Sequence, residues 1–103
     1  MKEVRGMTDK QLKRYVSDFR KGLLEGHPSN AMCFVVTSPL ASLLRLEGVD
    51  CELIEGEIIN NGSIWGHFWI KLADGRILDP TADQFGLVSI YLGPKPESYV
   101  EKG

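Results

Sequence analysis

Cysteine occurs only twice in these 103 residues, at Cys33 and Cys51, and never as C-x-x-C. That spacing excludes a disulfide scaffold, and in a reducing compartment two isolated thiols stay free. Neither cysteine stands at ligand spacing from His27, His67 or an aspartate, so no metal is expected. No apolar run approaches the ~18–20 residues of a membrane span. The N-terminal "MKEVRGMTDKQ" lacks the apolar stretch of a secretory signal. The expectation is a cytoplasmic protein with no membrane partner, although secretion by a machinery that reads no such signal stays open. Charge of one sign is also missing. The net charge is −2, and the basic residues form no stripe interleaved with aromatics. Nucleic-acid binding therefore has no electrostatic footprint. There is no internal repeat and no low-complexity tract. A composition of 43% hydrophobic and 25% charged residues is that of an ordinary globular domain. A chain of this length is too short to build two cores, so residues 1–103 are read as one domain.

"TDKQLKRYVSDFRKGLLEG" predicts an amphipathic helix from about Thr8 to Glu25. Leu12, Tyr15, Val16, Phe19 and Leu23 share one face, with Thr8 as N-cap and Gly26 as the stop. After the breaker "HPSN", the run "AMCFVVTSPLASLLRLEG" is apolar nearly all round and predicts a central, buried helix. Pro39 either kinks that helix or opens a second one behind a Ser38 cap. "VDCELIEGEIINNG" reads as a strand running into a turn, "HFWIKL" and "RILD" as two more strands, and "LVSIYL" as the last. "GPKPESYVEKG", residues 93–103, reads as a Pro-containing tail. Helices first and antiparallel strands afterwards give an α+β fold, with the helices packed on one face of a small sheet.

The densest chemistry lies in "GHFWIKLADGRILDPTADQFG". Its geometry turns on a loop length. A two-residue Asp74-Gly75 loop would put His67 and Asp79 on opposite faces of the hairpin. A three-residue Ala73-Asp74-Gly75 loop, with Gly75 at the left-handed position, sets Leu72 opposite Arg76 and Trp69 opposite Asp79. His67 and Asp79 then become diagonal neighbours on one face, about 7–8 Å apart. A carboxylate there would fix the imidazole tautomer and leave the other ring nitrogen as a general base. The commoner fate of such residues is an edge-strand histidine and a turn aspartate ahead of Pro80.

A base needs a nucleophile. With Asn30 or Ser29 as N-cap, Cys33 falls in the first turn of the second helix, where the dipole and free N–H groups favour a thiolate. A small apolar core role is the alternative for this thiol. Cys51, between Asp50 and Glu52, is the weaker candidate because those charges raise its pKa. Ser29, Ser38 and Ser63 lack a G-x-S-x-G setting.

Taken in order, a helix-borne Cys33, "LLRLEGVDCELIEG" and "HFWIKLADGRILDPT" resemble the transglutaminase-like branch of the papain-like cysteine-enzyme superfamily. The likeness covers roughly residues 30 to 85. It implies Cys33 as nucleophile, His67 as general base, Asp79 as the acid that orients His67, and the Cys33 N–H as part of an oxyanion hole. The implied chemistry is attack on an amide or acyl carbon through a covalent thioester, as in a cysteine peptidase, a deamidase or an acyltransferase. A protein or peptide substrate and no cofactor follow from it. Against the family pattern, no Trp stands beside Cys33. Asn30, Trp65 and Gln84 are the candidates for a side-chain oxyanion or substrate contact. Asp83 is a rival orienting acid, and Phe85 either lines the site or plugs the core. The competing function is a non-catalytic interaction domain, with Glu52, Glu55, Glu57, Trp65 and Trp69 as the partner surface.

Overall fold

The computed structural model describes residues 7–24, 33–60, 62–82 and 90–101. Helix α1 spans Asp9–Leu24 and α2 spans Cys33–Leu46; the strands are β1 (Cys51–Asn60), β2 (Ser63–Leu72), β3 (Ile77–Asp79), β4 (Tyr91–Gly93) and β5 (Tyr99–Glu101). All strand pairs are antiparallel, in the order β4-β3-β2-β1-β5. The α+β expectation holds at this level: among the described residues, two helices pack on a five-stranded sheet. Among the described residues, no helix is long and apolar enough to cross a membrane.

Thr8 caps α1 reciprocally. The Gln11 N–H donates to Thr8 Oγ1 at 3.2 Å, and the Thr8 N–H donates to Gln11 Oε1 at 3.0 Å. Leu12 and Val16 from this helix are buried with Leu40, Ala41 and Leu44 of α2 against Ile70, Leu72 and Leu78 of the sheet. Arg76, just after the β2–β3 turn, clamps the start of α1 with two bonds to Asp9, at 2.8 and 3.0 Å. Its Nε also donates to Asp74 at 2.7 Å.

Three expectations need correction. Helix α2 runs through Pro39 as one element, which removes the alternative of a second helix behind a Ser38 cap, and it is not buried all round: Phe34, Val35, Leu43 and Leu46 are exposed. Its apolar surplus, at Val35, Leu43 and Leu46, lies away from the buried Val36, Leu40, Ala41 and Leu44. Strand β2 begins at Ser63, so His67 stands at mid-strand and not at its start. The segment read as a tail contains β5, which pairs with β1 through Ile58↔Tyr99 and Gly56↔Glu101. "LVSIYL" is therefore not the last strand; its described part contributes Tyr91 and Leu92 to β4.

The β2–β3 turn decides the position of the candidate site. Ile70 pairs with Leu78 and Lys71 with Ile77, and the Leu72 N–H donates to the Arg76 carbonyl at 2.9 Å. The loop is therefore the three residues Ala73, Asp74 and Gly75. Gly75 has φ of +90°, a left-handed conformation that side chains with a Cβ resist. The Asp74 carboxylate accepts the Arg76 N–H at 3.0 Å and braces the turn from inside.

Candidate active site

Side chains alternate along a strand, so β2 presents Phe68, Ile70 and Leu72 to the helices and Trp65, His67, Trp69 and Lys71 to the other face. On that second face Trp69, Ile58, Ile77 and Tyr99 form their own buried cluster, with Ile54 and Tyr91 packed against it. A flat sheet would hold β3 and β5 three strand spacings apart, about 14 Å. Yet the Tyr99 hydroxyl of β5 donates to Asp79 Oδ2 of β3 at 2.6 Å. The sheet is therefore curled, and the face carrying His67 is concave. Gly56, opposite His67 in register, permits that curl: a Cβ there would overlap Trp69 Cη2 and the Val100 carbonyl oxygen.

Inside the concavity His67 is 1% exposed and Asp79 0%. His67 Nε2 lies 2.7 Å from Asp79 Oδ2. An ionised carboxylate only accepts, so Nε2 carries the proton and the basic lone pair of neutral His67 sits on Nδ1. Asp79 is held on both oxygens. Oδ1 takes the Thr81 N–H at 2.9 Å and the Thr81 hydroxyl at 3.2 Å, and Oδ2 takes Tyr99 and His67. Four donors satisfy a carboxylate that would otherwise be costly to bury. Arg20 of α1 donates to the Pro80 carbonyl at 2.7 Å, tying the strand end that carries Asp79 to the first helix. Burial, and after it the negative charge of Asp79, push the Tyr99 phenol far above its ordinary range.

Cys33 is the first residue of α2, in the first turn as its sequence setting predicts. The next residue, Phe34, meets Phe68 edge-on with ring centroids 4.9 Å apart, and Phe68 follows His67 in β2. The start of α2 is thus packed, like the body of the helix, on the face of the sheet opposite His67, so the described contacts do not bring Cys33 and His67 together. Strand β3 ends at Asp79, opposite Trp69, so it stops short of His67. Trp65 shares the face of His67 two positions upstream and is 55% exposed, whereas Trp69 is fully buried. Asn30, Asp83, Gln84 and Phe85 lie outside the described residues. Cys51 is half-buried, and its thiol donates to the Ala41 carbonyl at 3.8 Å. Its pKa is raised, with burial ahead of the neighbouring Asp50 as the cause. That makes Cys51 a structural thiol.

Two contributors were not visible in the residue pattern. Tyr99 sits on a three-residue strand, too short to show alternation. Gly56 was visible only as a glycine inside a strand, which signals a close backbone approach without saying to what. Among the described residues, no group of His, Cys, Asp and Glu is arranged to hold a metal ion. Comparisons with protein-family models, curated proteins and solved structures find no match to this chain.

Proposed function

We propose that this chain is a thiol-dependent enzyme acting on amide or acyl bonds, built like the transglutaminase-like branch of the papain-like superfamily. The observation that carries the reading is the buried His67–Asp79 pair, 2.7 Å apart, within the "HFW…DG…DPT" stretch. A buried imidazole with one nitrogen committed to a carboxylate is tuned to take a proton on the other. The helix start that bears Cys33 packs against the same strand through Phe34 and Phe68, on the face opposite His67, so the reading requires the thiol and the imidazole to meet across the strand.

Cys33 gives its proton to His67 Nδ1, and the sulfur bonds to the substrate carbonyl carbon. The C–N bond breaks, the leaving amine or ammonia takes that proton, and a thioester remains. Water or an acceptor amine then cleaves the thioester and restores the thiol, giving hydrolysis, deamidation or transfer. Asp79 holds the ring and steadies its charged form, and backbone N–H groups at the start of α2 receive the oxyanion. Trp65 forms an exposed wall on the same face as His67. Incubation with glutamine-bearing and peptide substrates tests the reading. Ammonia release, cleavage or transfer that disappears in Cys33→Ala supports it. No turnover, together with equally slow alkylation of Cys33 and Cys51, rejects it.

The exposed Trp65 and the uncovered face of α2 favour a second reading, a domain that binds a partner without chemistry. It predicts that Trp65→Ala abolishes partner binding while Cys33→Ala leaves it unchanged.

A further inference from the structure

The tightest contact Asp79 makes is with a residue from the far end of the chain. Oδ2 accepts the Tyr99 hydroxyl at 2.6 Å and lies 2.7 Å from His67 Nε2. One carboxylate oxygen offers two in-plane lone pairs, so each donor takes one and neither can slide onto the other's. The Tyr99 ring is fixed edge-on to both neighbours, with centroids 6.1 Å from His67 and 5.1 Å from Trp69. Its backbone is anchored by pairing with Ile58, and its carbonyl accepts from Lys95 Nζ at 2.7 Å.

We propose that Tyr99 is a positioning residue for the base. By occupying one lone pair of Asp79 Oδ2 it fixes the line along which His67 is held and weakens that oxygen as an acceptor for the imidazolium. The proposal rests on the reading of His67 as the base, and it adds β5 to the site. The stronger the carboxylate acceptor, the more basic the histidine and the less readily it releases its proton to a leaving group. A second donor on the same oxygen moderates it. The phenol stays protonated, and so remains a donor, because burial and the Asp79 charge oppose its ionisation. Among the described residues, the other titratable groups on this face are Tyr91 of β4, Glu52 of β1, Lys71 of β2 and Glu101 of β5. Lys71 and Glu101 lie 3.5 Å apart and offset each other's charge. The helices pack on the opposite face.

The test is the imidazole titration of His67 in nitrogen-15-labelled protein, with His27→Gln to assign the two histidines. Tyr99→Phe keeps the ring and removes the donor; it should raise the His67 pKa by about 0.5–1 unit. It should also move the Nε2–H proton resonance downfield at any one pH. Site-specific 3-fluorotyrosine at position 99 strengthens the donor and should shift both readouts the other way, which decides the matter should Tyr99→Phe not fold. An unchanged titration and Nε2–H resonance, as expected of a merely space-filling tyrosine, overturn the proposal. Neither readout needs a reaction at Cys33. If Cys33 proves inert while Tyr99→Phe moves His67, the enzyme reading fails and the coupling stands.

Discussion

Asp79→Asn preserves the shape of the site and removes one charge. Thr81 brings a backbone N–H to Oδ1 at 2.9 Å, and a backbone donor cannot turn away. The asparagine oxygen must therefore take the Oδ1 place, and its NH2 faces Tyr99 and His67. The tyrosine hydroxyl rotates to accept. The imidazole accepts only by moving its own proton from Nε2 to Nδ1. Bonds to a charged acceptor contribute about 1.5–3 kcal/mol each against about 0.5–1.5 for neutral ones. Weakening four bonds costs ~4–6 kcal/mol by these figures, and no longer burying a charge offsets part of it, leaving ~2–4 kcal/mol, a large share of the ~5–15 kcal/mol that stabilises a domain. Urea unfolding reads that loss. Nitrogen-15 shifts of the ring read the tautomer, and the pH profile of Cys33 alkylation reads the chemistry. In the variant the Nδ1 lone pair is gone, so Cys33 should behave as an ordinary thiol with pKa near ~8.5. A folded Asp79→Asn protein that keeps its proton on Nε2 and an unaltered alkylation profile would refute the reasoning.

Other consequences follow from the same geometry. Gly56→Ala forces a methyl into Trp69 and the Val100 carbonyl, and should cost about 1–3 kcal/mol in chemical unfolding, with the loss concentrated at β5 in hydrogen exchange. Deleting Ala73 leaves a two-residue loop and turns Asp79 to the helix face. Proton spectra should then lose the His67–Asp79 hydrogen-bonded resonance, and thermal stability should collapse. Tyr99 has a folded-state pKa above its ordinary value of 10.0, so the folded chain keeps a proton that the unfolded chain releases. Stability from this source is complete below about pH 10 and falls as pH rises beyond it. The urea midpoint should decline above that pH more steeply in the native protein than in Tyr99→Phe.

What the amino-acid order made legible was what repeats or punctuates. Helix α1 shows its period in Leu12 and Val16 and its boundary in Thr8. The hairpin register was readable because Ala-Asp-Gly suits a three-residue loop with a left-handed glycine, and that one-residue difference put His67 and Asp79 on one face. The burial of helix α2 is not legible, because hydropathy does not tell a face covered by the sheet from one left bare. Leu46, 83% exposed at its end, looks no different in sequence from the buried Leu44. The start of β2 is not legible either, because "SIWG" has no polar alternation to mark it. Strand β5 was invisible: three residues between proline-rich and charged neighbours hold too few periods to register. Its importance comes from a contact with Asp79 twenty positions earlier, which only the curl of the sheet creates.

The central claim is that Cys33 and His67 act together. Iodoacetamide labelling of Cys33, followed residue by residue from about pH 5 to 10, tests it most directly when native protein and His67→Ala are compared. The account predicts that native Cys33 reacts well below the ordinary thiol range, that Cys51 does not, and that His67→Ala shifts the Cys33 profile upward. Identical Cys33 profiles with and without the His67 imidazole would contradict it.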